Sequence, residues 1–252
     1  MNQIKNVHGN TVDHLGLAIV SGRYAAGASL PPEPKLCEEL GVSRTVVREA
    51  VKSLVAKGLV STGPKVGTRV LAELHWNWFD PDVISWQASA GLTVEFLRDL
   101  QDLRRVVEPA AMRLAAQRAS PQDIEQIEAA FAGMCRACEK GGRLSDYVQH
   151  DLLFHQGLLR AGGNRMMAQM SKALGALLRT SFEVSTATRE GPKGSLALHR
   201  AVLDAVIARN PGKAEKAILV LIDGAHRDIE SVLAGRKRPP RLDGPARRLV
   251  AA

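Results

Sequence analysis

The sequence predicts a mainly α-helical protein, in which an N-terminal winged helix-turn-helix is followed by a C-terminal antiparallel all-helical bundle. Residues 30–71 carry two short helical patterns, a tight turn between them and two short strand patterns, which is the order of a winged helix-turn-helix. From residue 81 onwards helical periodicity continues with few breaks and without strand alternation. At 252 residues the chain is long enough for two domains, each with a core of its own.

The first two helices of the predicted motif are separated by a turn signal. Leu36 and Leu40 have helical spacing, and Gly41 directly after them is suited to a turn. Ser43 is a favourable N-cap, because its hydroxyl can accept a backbone N–H of the next helix. A second helix is therefore expected to begin directly after Ser43.

The second helix has a buried face and a basic face. Its apolar residues follow the i, i+3, i+4, i+7 pattern at Val47, Ala50, Val51 and Leu54. Arg44, Thr45 and Arg48 fall off that face, in the half of a recognition helix that contacts base edges. Arginine can bind guanine with two hydrogen bonds. A surface helix with scattered arginines is the alternative, but the ordered set of elements favours DNA binding.

Two short strands predicted at 59–61 and 68–71 form the wing. The tip between them contains glycine, proline and one lysine. We expect Lys65 to contact phosphate and Gly67 to let the backbone approach DNA closely.

Several segments resemble the winged helix-turn-helix of the GntR family over residues 8–74. They are GRYAAGASLPPE, GVSRTVVREAV, GLV and GTRV. The resemblance implies that the protein binds double-stranded operator DNA. By position it implies contacts from Ser43, Arg44, Thr45, Arg48 and Gly67.

The net charge of +8 is distributed unevenly. Residues 1–75 contain 9 basic and 6 acidic side chains, residues 76–234 contain 19 of each, and residues 235–252 contain 6 and 1. The neutral middle of the chain is therefore not expected to bind nucleic acid. The tail at 236–252 is rich in Pro, Gly and Arg, and is expected to be disordered.

Cysteine content and hydropathy predict a cytoplasmic protein without a membrane partner. Three cysteines do not suggest a disulfide framework. No apolar run approaches the roughly 18–20 residues that cross a bilayer, and the N-terminus lacks the apolar region of a signal peptide. Cys135 and Cys138 have the spacing of a redox or zinc motif, but we interpret them as the end of an amphipathic helix because no second pair exists.

A junction with a first helix is predicted at residues 75–92, where Asp80 can cap a helix and Pro81 suits its first position. The helical domain is predicted at 93–235. Helices are expected near 81–90, 93–118, 121–140, 144–161, 164–187, 193–209 and 211–235.

Four residues of the helical domain could hold a metal. Asp151 and His155 are four apart and face the same side of one helix, while His199 and His226 lie on later helices. Such side chains can bind a divalent cation inside a bundle. The same residue types are also common in cores and on surfaces, so spacing alone leaves both interpretations open.

The helical domain resembles the FCD effector domain of the FadR subgroup over residues 93–232, in LRDLQDLRRVVEPAAMRLAAQRA, DLLFH and LHRAVLDAV. The resemblance implies a divalent metal, with zinc expected and nickel or manganese as alternatives, held by one Asp and three His. It also implies a small carboxylate effector bound against the metal.

Three of the implied metal ligands match the family pattern and the fourth does not. Asp151, His155 and His199 match, whereas Leu221 occupies the place of the last ligand and His226 follows five residues later. The site could use His226 in a shifted register, could use three ligands, or could be empty.

Arg104 corresponds to an arginine in the first long helix of the family, and could pair bidentately with a carboxylate effector. The alternative is a surface arginine that stabilises its own helix. The segment HWNWFDPDVISWQ resembles regulators of sugar-acid catabolism, which implies a sugar acid as effector. Because this segment contains all three tryptophans, packing is their expected role.

Together these features predict a homodimeric transcription regulator that binds a palindromic operator and is released from it by a sugar acid or related carboxylate. We do not expect an enzyme. The alternative is a metal-dependent hydrolase fused to a DNA-binding module, which would need a general base beside its metal. No Glu adjoins Asp151 and His155 in the sequence. An architectural DNA binder without a ligand is a third interpretation.

Overall fold

The computed structural model describes residues 7–64, 66–91, 93–139, 142–185 and 191–234. These residues form two compact units, one ending at Gly91 and the other beginning at Thr93. The first unit combines helices with a two-stranded sheet, and the described part of the second is helical. The predicted fold class is confirmed.

The first unit contains the helix-turn-helix and the wing. Its elements are α1 (Val7–Val20), α2 (Glu33–Leu40), α3 (Arg44–Ala56), β1 (Val60–Gly63), β2 (Gly67–Val70), a 3₁₀ helix (Glu73–His75) and α4 (Pro81–Ala90). Gly41 ends α2 with φ of 64°, and the Ser43 hydroxyl accepts the backbone N–H of Val46 at 3.4 Å. The two strands pair antiparallel, with Val60 opposite Val70. The turn and the cap predicted from the sequence are thus present.

The core of the first unit joins the buried face of α3 to α1 and α4. Trp76 and Trp86 are buried in this core, and Trp78 packs against it, which confirms their packing role. The Trp86 ring lies over Gly16 of α1, and its Nε1 donates to Asp13 Oδ1 at 3.1 Å. The first helix of the predicted junction is therefore packed into the DNA-binding unit.

Partly buried ion pairs connect the end of α3 to the start of α4. The Lys57 ammonium lies 2.8 Å from Asp80 Oδ1 and 2.8 Å from Asp82 Oδ2. The backbone carbonyl of Lys57 also accepts the N–H of Asn77 at 2.9 Å. Since Asp80 also caps α4 through the N–H groups of Asp82 and Val83, one carboxylate fixes both helix ends.

The described part of the second unit is a helical bundle. Its helices are α5 (Val94–Arg118), α6 (Pro121–Ala137), α7 (Leu144–Ala161), α8 (Arg165–Ser185), α9 (Gly191–Ile207) and α10 (Pro211–Leu233). Ion pairs between α5 and α10 join Arg98 to Glu230 and Arg113 to Glu215, so the two helices run antiparallel.

Among the residues that the structure describes, none of the helices combines the length and apolar character that crossing a bilayer requires. The basic tail predicted at 236–252 lies outside the described residues.

Candidate functional site

The exposed face of α3 carries the predicted base-contacting residues. Arg44, Thr45 and Arg48 are exposed, whereas Val47 on the opposite side is fully buried. Helical periodicity produces this division, because the apolar positions are drawn into the core of the first unit. The helix therefore presents two guanidinium groups and a hydroxyl from its N-terminal half.

Arg48 is held by a partner that sequence patterns did not reveal. Its Nε lies 3.0 Å and 3.2 Å from the two carboxylate oxygens of Glu33, at the start of α2. Both side chains are substantially exposed, at 63% and 41%. Because both contacts involve Nε, this pairing is compatible with base contacts through the terminal amino groups.

Of the two DNA-contacting residues predicted in the wing, Gly67 lies in the described part of the chain. Gly67 is exposed, has φ of 75°, and has no atom within 4 Å of the position a Cβ would take. This positive φ explains the glycine, and the surrounding open space exposes the backbone. Lys65 lies outside the described residues.

A cluster of three predicted metal ligands lies inside the second unit. Asp151 and His155 come from α7 and His199 from α9, and all three are buried. One potential ligand atom from each lies within 4.8 Å of the others. Asp151 Oδ1 is 3.0 Å from His199 Nε2 and 3.4 Å from His155 Nε2. The contact between Asp151 and His199 joins side chains that are 48 positions apart in the chain.

The hydrogen bonds of the two imidazoles indicate what this cluster can bind. His199 Nδ1 lies 2.8 Å from the Ser195 backbone carbonyl, which can only accept, so Nδ1 carries the proton. In neutral His199 the lone pair of Nε2 then faces Asp151 Oδ1, which is unfavourable unless a cation lies between them. Two imidazole nitrogens and a carboxylate oxygen suit zinc, nickel or manganese. The three residues therefore fit a divalent metal.

Glu108 of α5 completes the cluster and was not predicted. Its Oε2 lies 2.9 Å from His155 Nδ1, and its Oε1 lies 2.7 Å from Arg104 Nε. Glu108 and Arg104 are each only 1% exposed. The four-residue spacing of Arg104 and Glu108 could have suggested their ion pair. The contact with His155 spans 47 positions, and no local pattern indicates it.

Arg104 is a core residue. The alternative interpretation, a surface arginine that stabilises its own helix, is wrong in its placement, although the side chain does pair within its own helix. Its guanidinium carbon lies 5.0 Å from the centre of the Phe182 ring. Its Nη1 is buried and has no hydrogen-bond partner among the described residues. Such a donor is costly to bury, and is suited to an anionic ligand.

Interactions among the buried groups of the cluster shift their pKa values. Burial alone would lower the pKa of His155, but the Glu108 charge and hydrogen bonds with Asp151 and Glu108 raise it to about 9. Burial would raise the pKa of Glu108, but the charges of Arg104 and His155 lower it to about 2. The pKa of Asp151 is also lowered, because the His199 charge and hydrogen bonds from both imidazoles outweigh burial. A proton on His155 can thus stand in for part of a metal's charge.

The structure does not bring His226 into this cluster. Among the described residues, the group that can hold a metal consists of Asp151, His155 and His199. His226 is half-buried on α10, and Leu221, at the expected ligand position, is buried. The cluster within the described residues therefore offers three candidate ligands. Cys135 and Cys138 are free cysteines, half-buried at the end of α6.

Comparison with protein families gives two matches along the chain. The profile of the bacterial regulatory proteins of the gntR family matches residues 9–70. The profile of the FCD domain matches residues 99–224. The first match contains α2, α3 and the wing, and the second contains the Asp151, His155 and His199 cluster.

Two curated relatives are similar over most of their length. The galactonate operon transcriptional repressor of Escherichia coli K12 is 32% identical over 220 residues, covering 86% of this chain and 94% of the repressor. The Glc operon transcriptional activator of the same strain is 29% identical over 205 residues, covering 79% of each chain.

A solved structure, of the Lar protein that controls expression of the Listeria monocytogenes agr system, supports the fold. It superimposes with a TM-score of 0.62 at 19% identity, covering 90% of this chain and 99% of Lar.

Proposed function

This chain belongs to the GntR family of bacterial regulatory proteins, in the FadR subgroup with an FCD domain, and we propose that it represses an operon for use of a sugar acid or related carboxylate. The family is one of ligand-responsive DNA-binding regulators. The repressor relative named for the galactonate operon supports the class of operon. Action on a chromosomal operator would place the protein in the cytoplasm.

In the proposed complex a homodimer binds a near-palindromic operator. Arg44 and Arg48 donate to guanine edges, Ser43 and Thr45 contact the backbone or bases, and the wing contacts phosphate through Lys65 and Gly67. The exposure of the basic face of α3 supports this assignment.

In the effector domain, Asp151, His155 and His199 would hold a divalent metal, which we propose is zinc. The described cluster supplies three ligands, so His226 is not required. A bound zinc would supply positive charge and an open coordination position. Arg104 would donate to the effector carboxylate, and the observation that carries this proposal is its buried Nη1 without a partner among the described residues.

Charge balance favours an effector with one carboxylate. With neutral imidazoles, Arg104 and a divalent cation would contribute three positive charges, against two negative charges from Glu108 and Asp151. One monoanion would neutralise the remaining positive charge, which matters because unbalanced charge is costly in a buried site. Aldonates and uronates fit this requirement and provide hydroxyl groups as further ligands.

The hydrolase alternative is not favoured. A metal-dependent hydrolase needs a group that can accept a proton from a metal-bound water. Glu108 is the carboxylate closest to this role, but Arg104 and His155 engage its two oxygens.

Calorimetry tests the regulatory proposal. An operator selected in vitro from random DNA is first obtained, and zinc-loaded protein is then titrated with aldonates and uronates, with and without that DNA. Release requires that the effector binds the free protein more tightly than the DNA-bound protein. Operator DNA must then weaken effector binding by the same factor by which the effector weakens operator binding. Equal affinity in both titrations would exclude release, and tighter effector binding with DNA would show that the effector strengthens operator binding instead of releasing it. Failure of every acid tested would reject the ligand class.

A further inference from the structure

We propose that Glu108 is a positioning residue that holds the metal ligand His155 and the effector-binding Arg104 with a single carboxylate, so that the two halves of the effector site form together. The inference rests on the proposed function, because it concerns the same metal and effector site. It assigns a role to Glu108, a residue of α5 that would touch neither the metal nor the effector.

The two oxygens of Glu108 are divided between two different partners. Oε1 accepts from Arg104 Nε at 2.7 Å, and Oε2 accepts from His155 Nδ1 at 2.9 Å. Glu108 and its two partners are each about 1% exposed, so water does not compete for these contacts. A carboxylate buried in this way keeps both partners in one arrangement.

On the His155 side, the contact selects the tautomer that a metal ligand needs. A carboxylate can only accept, so the proton of neutral His155 resides on Nδ1. The lone pair then resides on Nε2, the atom 3.4 Å from Asp151 Oδ1. A carboxylate behind a ligating imidazole also makes the imidazole a stronger ligand, and removing such a partner typically costs about 10- to 100-fold in metal affinity.

On the Arg104 side, the contact fixes the guanidinium through Nε. The guanidinium carbon lies over the Phe182 ring, 5.0 Å from its centroid. Nη1 remains buried and without a hydrogen-bond partner among the described residues. The guanidinium is thus oriented before any ligand binds, and binding need not fix the arginine rotamer.

A purely structural ion pair is the competing interpretation. In that case Glu108 would stabilise the fold through Arg104, and its contact with His155 would be incidental. The two interpretations predict different zinc affinities for a variant that lacks the Glu108 carboxylate and still folds.

The first experiment measures the zinc affinity of the full chain by competition with a chromogenic chelator. Glu108→Gln removes the negative charge but keeps an oxygen acceptor, and should weaken zinc binding about 10- to 100-fold. Its cobalt-loaded form should show an altered visible absorption spectrum. The matched control is Glu215→Gln, a glutamate paired with Arg113 at an exposed position of the α5/α10 contact, and it should change zinc affinity less than about twofold.

Circular dichroism and thermal unfolding identify the variants that fold. If Glu108→Gln does not fold because Arg104 is left as a buried unpaired charge, Arg104→Met/Glu108→Gln removes that charge and should show the same loss of zinc affinity. A folded variant that binds zinc as tightly as the wild type would overturn the proposal. A wild type that binds no zinc would instead reject the metal site of the proposed function.

A measurement on the unmodified protein completes the test. In zinc-loaded wild type, long-range proton–nitrogen NMR should show that His155 Nδ1 is protonated and Nε2 is bound to zinc, with the His155→Gln spectrum used for assignment. Ligation through Nδ1, or an Nδ1 without a proton, would overturn the role of Glu108 even if every variant were unfolded.

Discussion

Arg48 lies at the centre of the exposed face of α3, where Glu33 contacts its Nε at 3.0 Å. If it reads a guanine, Arg48→Ala should weaken binding to the selected operator by about 1–3 kcal/mol and relax base preference at one position. Gel-shift titration at fixed salt measures this change. Lys52→Ala is the matched control, since Lys52 is an exposed basic residue further along the same helix. A folded Arg48→Ala variant with unchanged affinity would contradict the assignment.

His155 makes the stability of the metal-free protein dependent on pH. Its folded pKa of about 9 lies above the unfolded value of about 6.5, so its contribution is fully present below pH 6.5 and is lost as pH rises through 9. After treatment with a chelator, the urea midpoint should therefore fall between these pH values. The lowered pKa values of Glu108 and Asp151 act oppositely, since their contributions are lost in acid.

Zinc should reduce the alkaline loss of stability, because the metal replaces the proton on the cluster and favours neutral imidazole. Urea titrations of metal-free and zinc-loaded protein at pH 6 and pH 9 provide the comparison, with His155→Gln as the control that lacks the titrating group. If the urea midpoint fell equally between pH 6 and pH 9 in this variant and in metal-free wild type, His155 would not be the source of the alkaline loss of stability.

At the scale of elements, the contact between α1 and α4 depends on a glycine. A Cβ at Gly16 would lie 2.5 Å from the Trp86 ring, and the indole is also held through its N–H to Asp13. Gly16→Ala should destabilise the first unit by roughly 1–3 kcal/mol, because overpacking outweighs the gain in helix propensity of about 1 kcal/mol.

Tryptophan fluorescence during urea unfolding reports this effect, since all three tryptophans lie in the first unit. Asn10→Ala provides a control at an exposed position on α1. A Gly16→Ala variant as stable as the wild type would show that α4 can shift without cost.

Most helices were predictable from the sequence to within three residues at either end. Ser120 and Asp123 form a capping box at the start of α6, and Asp80 and Pro81 begin α4 as expected. These signals are local, because each cap involves atoms only a few residues apart. The end of α6 was predicted near residue 140 but lies at Ala137. The prediction was too long because the helical sequence pattern continues past the last residue that is helical in the structure.

At the scale of the whole molecule, the proposed homodimer implies an operator with two half-sites about one DNA turn apart. Inserting about five base pairs between them would turn one half-site to the opposite face of the duplex. Affinity should then fall towards that of a single half-site, whereas an insertion of about ten base pairs should restore part of it. Gel shifts with the three DNA duplexes test this, and equal binding to all three would argue against a dimer with fixed spacing.

The sequence alone determined the class of the molecule, because its signals are local. Helical period, turn glycines and caps act over a few residues, and they specify the winged helix-turn-helix, the basic face of α3 and the succession of helices after it. The motif in which Asp151 and His155 are four residues apart is local in the same sense. The sequence offered His199 and His226 as further ligands on later helices. Family resemblance matched His199, which the structure places beside Asp151 and His155.

Only the tertiary structure decided which polar side chains meet inside the bundle. Glu108 reaches His155 across 47 positions and Asp151 reaches His199 across 48, and helix packing sets both distances. Packing also buried Arg104 and left His226 outside the described cluster. Sequence periodicity assigns a residue to a face of its helix, but the helix that covers that face depends on long-range packing, which no local pattern encodes.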